Sequence, residues 1–118
     1  MDHKDLDVWK KAMDLVKEIY LVSKEFPSSE QYGLTNQIRR AAVSIPSNIA
    51  EGAGRKGDKE LLQFLSFALG SLAELETQLL IAVRLGYLDE ITSTIDLITE
   101  VRKLILGYRN YIIRKSNP

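Results

Sequence analysis

The six residues Gly52-Ala53-Gly54-Arg55-Lys56-Gly57 spell G-x-G-x-x-G, the spacing with which a tight turn brings backbone N–H groups against the pyrophosphate of a dinucleotide. That chemistry needs a strand before the turn and a βαβ unit around it. Here Ser47-Asn48-Ile49-Ala50-Glu51 closes a helical pattern instead, so the spelling is accidental and the run reads as an interhelical turn. The outer glycines also have P-loop spacing, but Asp58 and Lys59 stand where Lys and Ser or Thr are needed. Charge is the more informative signal. Between Asn36 and Lys59 the cations Arg39, Arg40, Arg55, Lys56 and Lys59 stand against only Glu51 and Asp58, a local excess able to hold phosphates. After Glu100 come Arg102, Lys103, Arg109, Arg114 and Lys115, with Tyr108 and Tyr111 among them and no acid. Basic side chains beside aromatics can stack on unpaired bases, although cations near a helix C-terminus also complement its dipole and tyrosines at helical spacing also pack.

No residue set suits catalysis. His3 is the sole histidine and cysteine is absent, which removes thiol nucleophiles, Cys-ligated zinc, iron–sulfur clusters and the paired Glu-x-x-His motifs of di-iron bundles. Glu74 and Glu76 are two apart and do not share a helix face. A non-enzyme without metal or cofactor is therefore expected.

The elements that must position these groups are helical. A chain of 118 residues, 45% apolar and 27% charged, can bury one core without disulfides, so a single domain over 1–118 is expected. Sixteen basic residues balance sixteen acidic ones, which gives no whole-molecule attraction to nucleic acid. The polar, acidic start MDHKDLD predicts no signal peptide. The longest apolar run, Leu79 to Val83, predicts no membrane span, and the lack of Cys fits a cytoplasmic location. Leu6, Trp9, Met13, Val16, Ile19 and Tyr20 predict a first helix ending near Phe26 before Pro27. Ser28 and Gln31 have capping-box spacing ahead of a second helix, in which Pro46 predicts a bend or break. A loop over Gly52 to Asp58 follows, with Asp58 as N-cap of a third helix from Lys59 to Leu85. Gly86 caps that helix, Asp89 opens the fourth, and the fourth runs to about Arg114. The third helix is apolar on more than one face, more than a lone bundle hides, which predicts a subunit interface with Leu69 as a candidate outward-facing residue. The fold expected is all-α, an antiparallel up-and-down four-helix bundle assembling as a homo-oligomer.

The run from Phe26 to Gly52, with its core Asn36-Gln37-Ile38-Arg39-Arg40-Ala41-Ala42-Val43-Ser44-Ile45-Pro46-Ser47-Asn48-Ile49-Ala50-Glu51-Gly52, resembles the hallmark of one family. Val8-Trp9 with Ala12, Phe64-Leu65 with Ala68 and Gly70-Ser71, and Leu85-Gly86-Tyr87-Leu88 extend the likeness over nearly the whole chain. The chain is similar to the four-helix-bundle proteins encoded in intervening sequences of bacterial 23S ribosomal RNA genes. That resemblance implies a ring-like homopentamer. It also implies kinship with the accessory variability proteins of diversity-generating retroelements, whose basic pentamer surface binds nucleic acid and a reverse transcriptase. Carried over by position, Arg39, Arg40 and Arg55 are the residues for RNA or DNA contact, with Lys56 and Lys59 beside Arg55. The chain departs from those strongly basic relatives in being neutral. Two readings follow: a nucleic-acid-binding homo-oligomer, or a scaffold that recruits another protein. Arg39 and Arg40 also have a structural alternative, in which one of them pairs with Glu51 or Glu74.

Overall fold

The computed structural model describes residues 2–116. It contains four helices and, among the described residues, no strand: α1 Asp7–Ser23, α2 Leu34–Ala53, α3 Asp58–Arg84 and α4 Thr92–Ser116. Each helix packs on its neighbours in sequence, and α1 closes the bundle against α4. The result is an elongated four-helix bundle of 50 × 24 × 20 Å.

The inward registers follow the helical period. Val8, Ala12, Leu15 and Ile19 of α1 meet Ile38, Ala42, Ile45 and Ile49 of α2 in one core with Leu65, Leu72, Leu75 and Leu79 of α3 and Ile98, Val101 and Ile105 of α4. Met13 and Tyr20, read from the sequence as part of the first helix's apolar face, are instead exposed. The ends differ from expectation for identifiable reasons. α1 stops at Ser23 because the next N–H groups reach back only three residues, from Lys24 to Leu21 and from Phe26 to Ser23, so the chain tightens into a turn. Ser28 does not cap α2; residues Ser28–Glu30 form a separate 3-10 turn, and Glu30 Oε1 accepts the Leu34 N–H at 3.0 Å. Asp58 does not cap α3 either. Its carboxylate accepts from Ser116 Oγ at 2.7 Å and lies 3.7 Å from Lys115 Nζ, tying the start of α3 to the end of α4. Glu90, rather than Asp89, receives the first N–H of α4, from Thr92 at 2.6 Å.

Pro46 does not break α2, which continues through it to Ala53. Its missing N–H leaves the carbonyl of Ala42 without a helical donor. The next two carbonyls gain side-chain donors, Ser47 Oγ to Val43 O at 2.8 Å and Asn48 Nδ2 to Ser44 O at 2.8 Å, and Pro46 itself is buried. Gly52 and Ala53 belong to α2, so the loop shrinks to residues 54–57. A Cβ on Gly52 would lie 2.8 Å from Phe64 Cβ and 3.0 Å from Leu61 Cδ1, so the absent side chain is what lets α2 and α3 approach. At the far end of α3, Gly86 adopts φ 79°, with Tyr87 N–H on Ala82 O and Gly86 N–H on Val83 O, a Schellman termination that only glycine adopts freely.

α3 buries one side and leaves another bare. Phe67, Leu80 and Ile81 are 49%, 50% and 43% exposed, whereas Leu69 is partly buried and packs against the core, not outward as expected. By length and composition alone α3 is also long and apolar enough to cross a membrane, a property its five-residue apolar run had concealed. Its inward side is the bundle's own core.

Candidate nucleic-acid interface

Arg39 and Arg40 stand at the N-terminal half of α2, where the helix crosses the end of α1. Adjacent residues on a helix point about 100° apart, so they face different neighbours. Arg39 turns toward α1. Its Nε donates to Ser23 Oγ at 2.8 Å, its Nη2 donates to Tyr20 O at 3.4 Å, and its guanidinium lies over the Tyr20 ring at 4.6 Å. Ser23 is buried and donates its own hydroxyl proton to Tyr20 O, which fixes the oxygen that orients Arg39. These contacts occupy two of the five guanidinium N–H groups and no carboxylate lies within 4.0 Å among the described residues. Arg39 is therefore held in place with its charge unspent.

Arg40 points between two depressions. It shares with Arg39 an open groove of about 680 Å³ lined also by Tyr20, Gln31, Tyr32 and Asn36. On its other side it borders a smaller groove with Glu74 and Gln78, whose buried Oε1 has no donor. Neither arginine pairs with a carboxylate among the described residues, Glu51 and Glu74 included, so the structural alternative is not realised within the chain. The rim carrying Gln31 and Tyr32 is anchored through Glu30, whose Oε2 accepts from Tyr87 Oη at 2.8 Å. The Leu34 N–H and then the Tyr87 hydroxyl hold the Glu30 carboxyl below its usual range, and the same carboxylate raises Tyr87.

The other candidates lie elsewhere. Arg55 follows Arg39 by sixteen residues, about 24 Å along a helix axis, so the five cations do not form one patch on a single subunit. Arg55 Nη2 sits 3.3 Å from Glu51, Nη1 4.0 Å from Glu60, and the guanidinium lies over Phe64 at 5.0 Å, so its charge is compensated locally. Lys56 and Lys59 are exposed, with no acid within 4.0 Å among the described residues. The basic run of α4 is engaged in part: Arg102 Nη2 bonds Glu76 at 2.8 Å, Lys115 meets Asp58, and Tyr108 packs against the core, where burial raises its hydroxyl pKa, whereas Lys103, Arg109 and Arg114 have no acid within 4.0 Å among the described residues. The described residues hold no group of three His, Asp or Glu side chains placed to bind a metal ion.

Two groove residues, Tyr20 and Tyr32, and the buried Ser23 that holds Arg39 were not picked out by sequence reasoning as site residues. Tyr20 and Ser23 are three apart and so share a helix face, the one signal available for them. The remaining motif residues serve packing. Ile45, Ile49 and Gly52 face inward, and Ser44 Oγ bridges to Ser71 Oγ of α3 at 2.8 Å while also accepting from Asn48 Nδ2 at 2.9 Å. No curated protein matches the chain. Residues 4–107, which take in the arginine pair, the packed motif and most of all four helices, match the profile of one family, and the chain belongs to the 23S rRNA-intervening sequence protein family.

Proposed function

We propose that this protein is a non-enzymatic homo-oligomer, a ring of the pentameric kind, that acts in the cytoplasm and binds RNA or DNA through the groove of Arg39 and Arg40. The observation that carries the reading is the pre-oriented Arg39 guanidinium, fixed by Ser23 and Tyr20 yet unpaired, beside a second free arginine. Orienting an unspent cation suits recognition of a phosphate, which takes bidentate guanidinium donors well. Lys56 and Lys59 form a second, more distant contact. A symmetric assembly repeats both patches once per subunit, which offsets the neutral charge of each chain through avidity. The apolar residues Phe67, Leu80 and Ile81 on the outer side of α3 support the assembly.

Titration of structured ribosomal RNA fragments and of DNA at two salt concentrations tests the proposal. Binding should fall with salt, and Arg40→Ala should reduce the log–log salt slope by about 0.7–0.9 per subunit contact. Absence of binding at low salt refutes it. A second reading, a scaffold for a protein partner such as a reverse transcriptase, draws on the same bare face of α3. It predicts a protein partner retained after nuclease treatment.

A further inference from the structure

We infer that the Arg39 and Arg40 groove selects unpaired nucleotides over duplex, with Tyr32 as its base-stacking platform, an inference that rests on the nucleic-acid reading above. Tyr32 is 90% exposed, the most open of the exposed large apolar residues, so the faces of its ring are available. It lines the same groove as both arginines. The Tyr20 ring is already covered by Arg39, which leaves the outer face of that guanidinium as a second flat surface of the type on which bases stack. Asn36 and Gln31 also line it, beside Thr35, Val43 and Ser44, and each side-chain amide offers a donor and an acceptor to a base edge.

A duplex cannot use this arrangement. Its bases are stacked on one another and present only edges and backbone, so a lone aromatic ring has nothing to pair with except at an end. Its backbone asks for a row of cations, and this groove offers two guanidinia in a chain of zero net charge. The groove volume of about 680 Å³ falls among small-ligand sites, the scale of splayed nucleotides rather than of a helix. The stacking contacts of the groove therefore require a free base.

The test measures binding of the full-length protein by fluorescence anisotropy to three labelled RNAs of equal length: a strand without self-complementarity, the same strand annealed to its complement with blunt ends, and an abasic strand of the same charge. The single strand should bind at least tenfold more tightly than either of the others. Tyr32→Ala should weaken single-strand binding by about fivefold to a hundredfold, the range for one base–aromatic stack, with an unchanged salt slope. Tyr32→Phe should retain it. On the abasic strand Tyr32→Ala should have no effect, because the partner it removes is already missing. Equal affinity for strand and duplex, or a Tyr32→Ala variant that binds the single strand like the wild type, overturns the stacking inference. If Arg40→Ala still weakens binding in those cases, the phosphate reading stands without it. No binding of any RNA at low salt refutes both.

Discussion

Replacing Gly52 by alanine sets two effects of known sign against each other. In a helix interior the change gains about 0.8–1.0 kcal/mol from propensity alone. At this position the new Cβ would lie 2.8 Å from Phe64 Cβ and 3.0 Å from Leu61 Cδ1. Carbon atoms rest at about 3.5–4.0 Å, so the overlap with Phe64 is close to 1 Å. Leu61 can rotate its methyl away. Phe64 Cβ is fixed to the backbone of α3, so the two helices must part, at an overpacking cost of about 1–3 kcal/mol. The net expectation runs from no change to a loss of about 2 kcal/mol, which is about 1–3 kcal/mol below an unobstructed glycine-to-alanine change and corresponds to a fall of up to roughly one molar in the urea midpoint at fixed protein concentration. Gly107→Ala provides the control. No atom lies within 4 Å of its added Cβ, so the propensity gain of about 0.5–1 kcal/mol should appear undiminished. A Gly52→Ala protein stabilised as much as Gly107→Ala would refute the claim that this glycine sets the helix spacing.

Replacing Phe67 or Leu80, each about half exposed, by glutamate should reduce the mass measured by light scattering while leaving the helical circular dichroism intact; an unchanged mass would remove these residues from the interface. Leu72→Ala, at a fully buried position, should cost about 2–5 kcal/mol in the same urea assay. Glu30 should give stability an acid limb. Its folded pKa is depressed, first by the Leu34 N–H and then by Tyr87, so its contribution is complete above the unfolded value and is lost as pH falls through the folded one. Urea midpoints across that window should show Glu30→Gln flattening the limb, and an identical pH profile for the variant would contradict the linkage.

Periodicity made the four helices and most of their inward residues legible, because each inward register repeats every three or four positions. It could not say which side of α3 faces a neighbour. With leucine, phenylalanine and isoleucine around the helix, position rather than residue type decides, and Leu69 was placed outside when Phe67 belongs there. Caps were misread for a related reason. Ser28, Asp58 and Asp89 have the right types, but Glu30 and Glu90 reach the N–H groups of α2 and α4, and Asp58 is drawn to a residue 58 positions away. Pro46 predicts a bend or break, but the helix runs through it unbroken, and the compensating bonds of Ser47 and Asn48 lie outside any simple proline rule. At the site, Arg39 and Arg40 stood out by charge. The pairing of Arg55 with Glu51 was present in their four-residue spacing and was overlooked. The contact of Arg39 with Tyr20 and Ser23 joins residues 19 and 16 positions apart across two helices, and it became visible only once α1 and α2 were packed.

The tight seam at Gly52 and the Ser44–Ser71 bridge join α2 and α3 into a hairpin that should open as one unit. In amide hydrogen exchange the backbone around Ile45, Ile49, Leu65 and Leu72 should then form the slowest cooperative block, outlasting the amides at the end of α1. One wall of the arginine groove is then expected to exchange slowly and the other, around Tyr20, faster. A bound strand would register chiefly as slowed exchange on the α1 side, so the protection pattern reports which wall adapts to its guest.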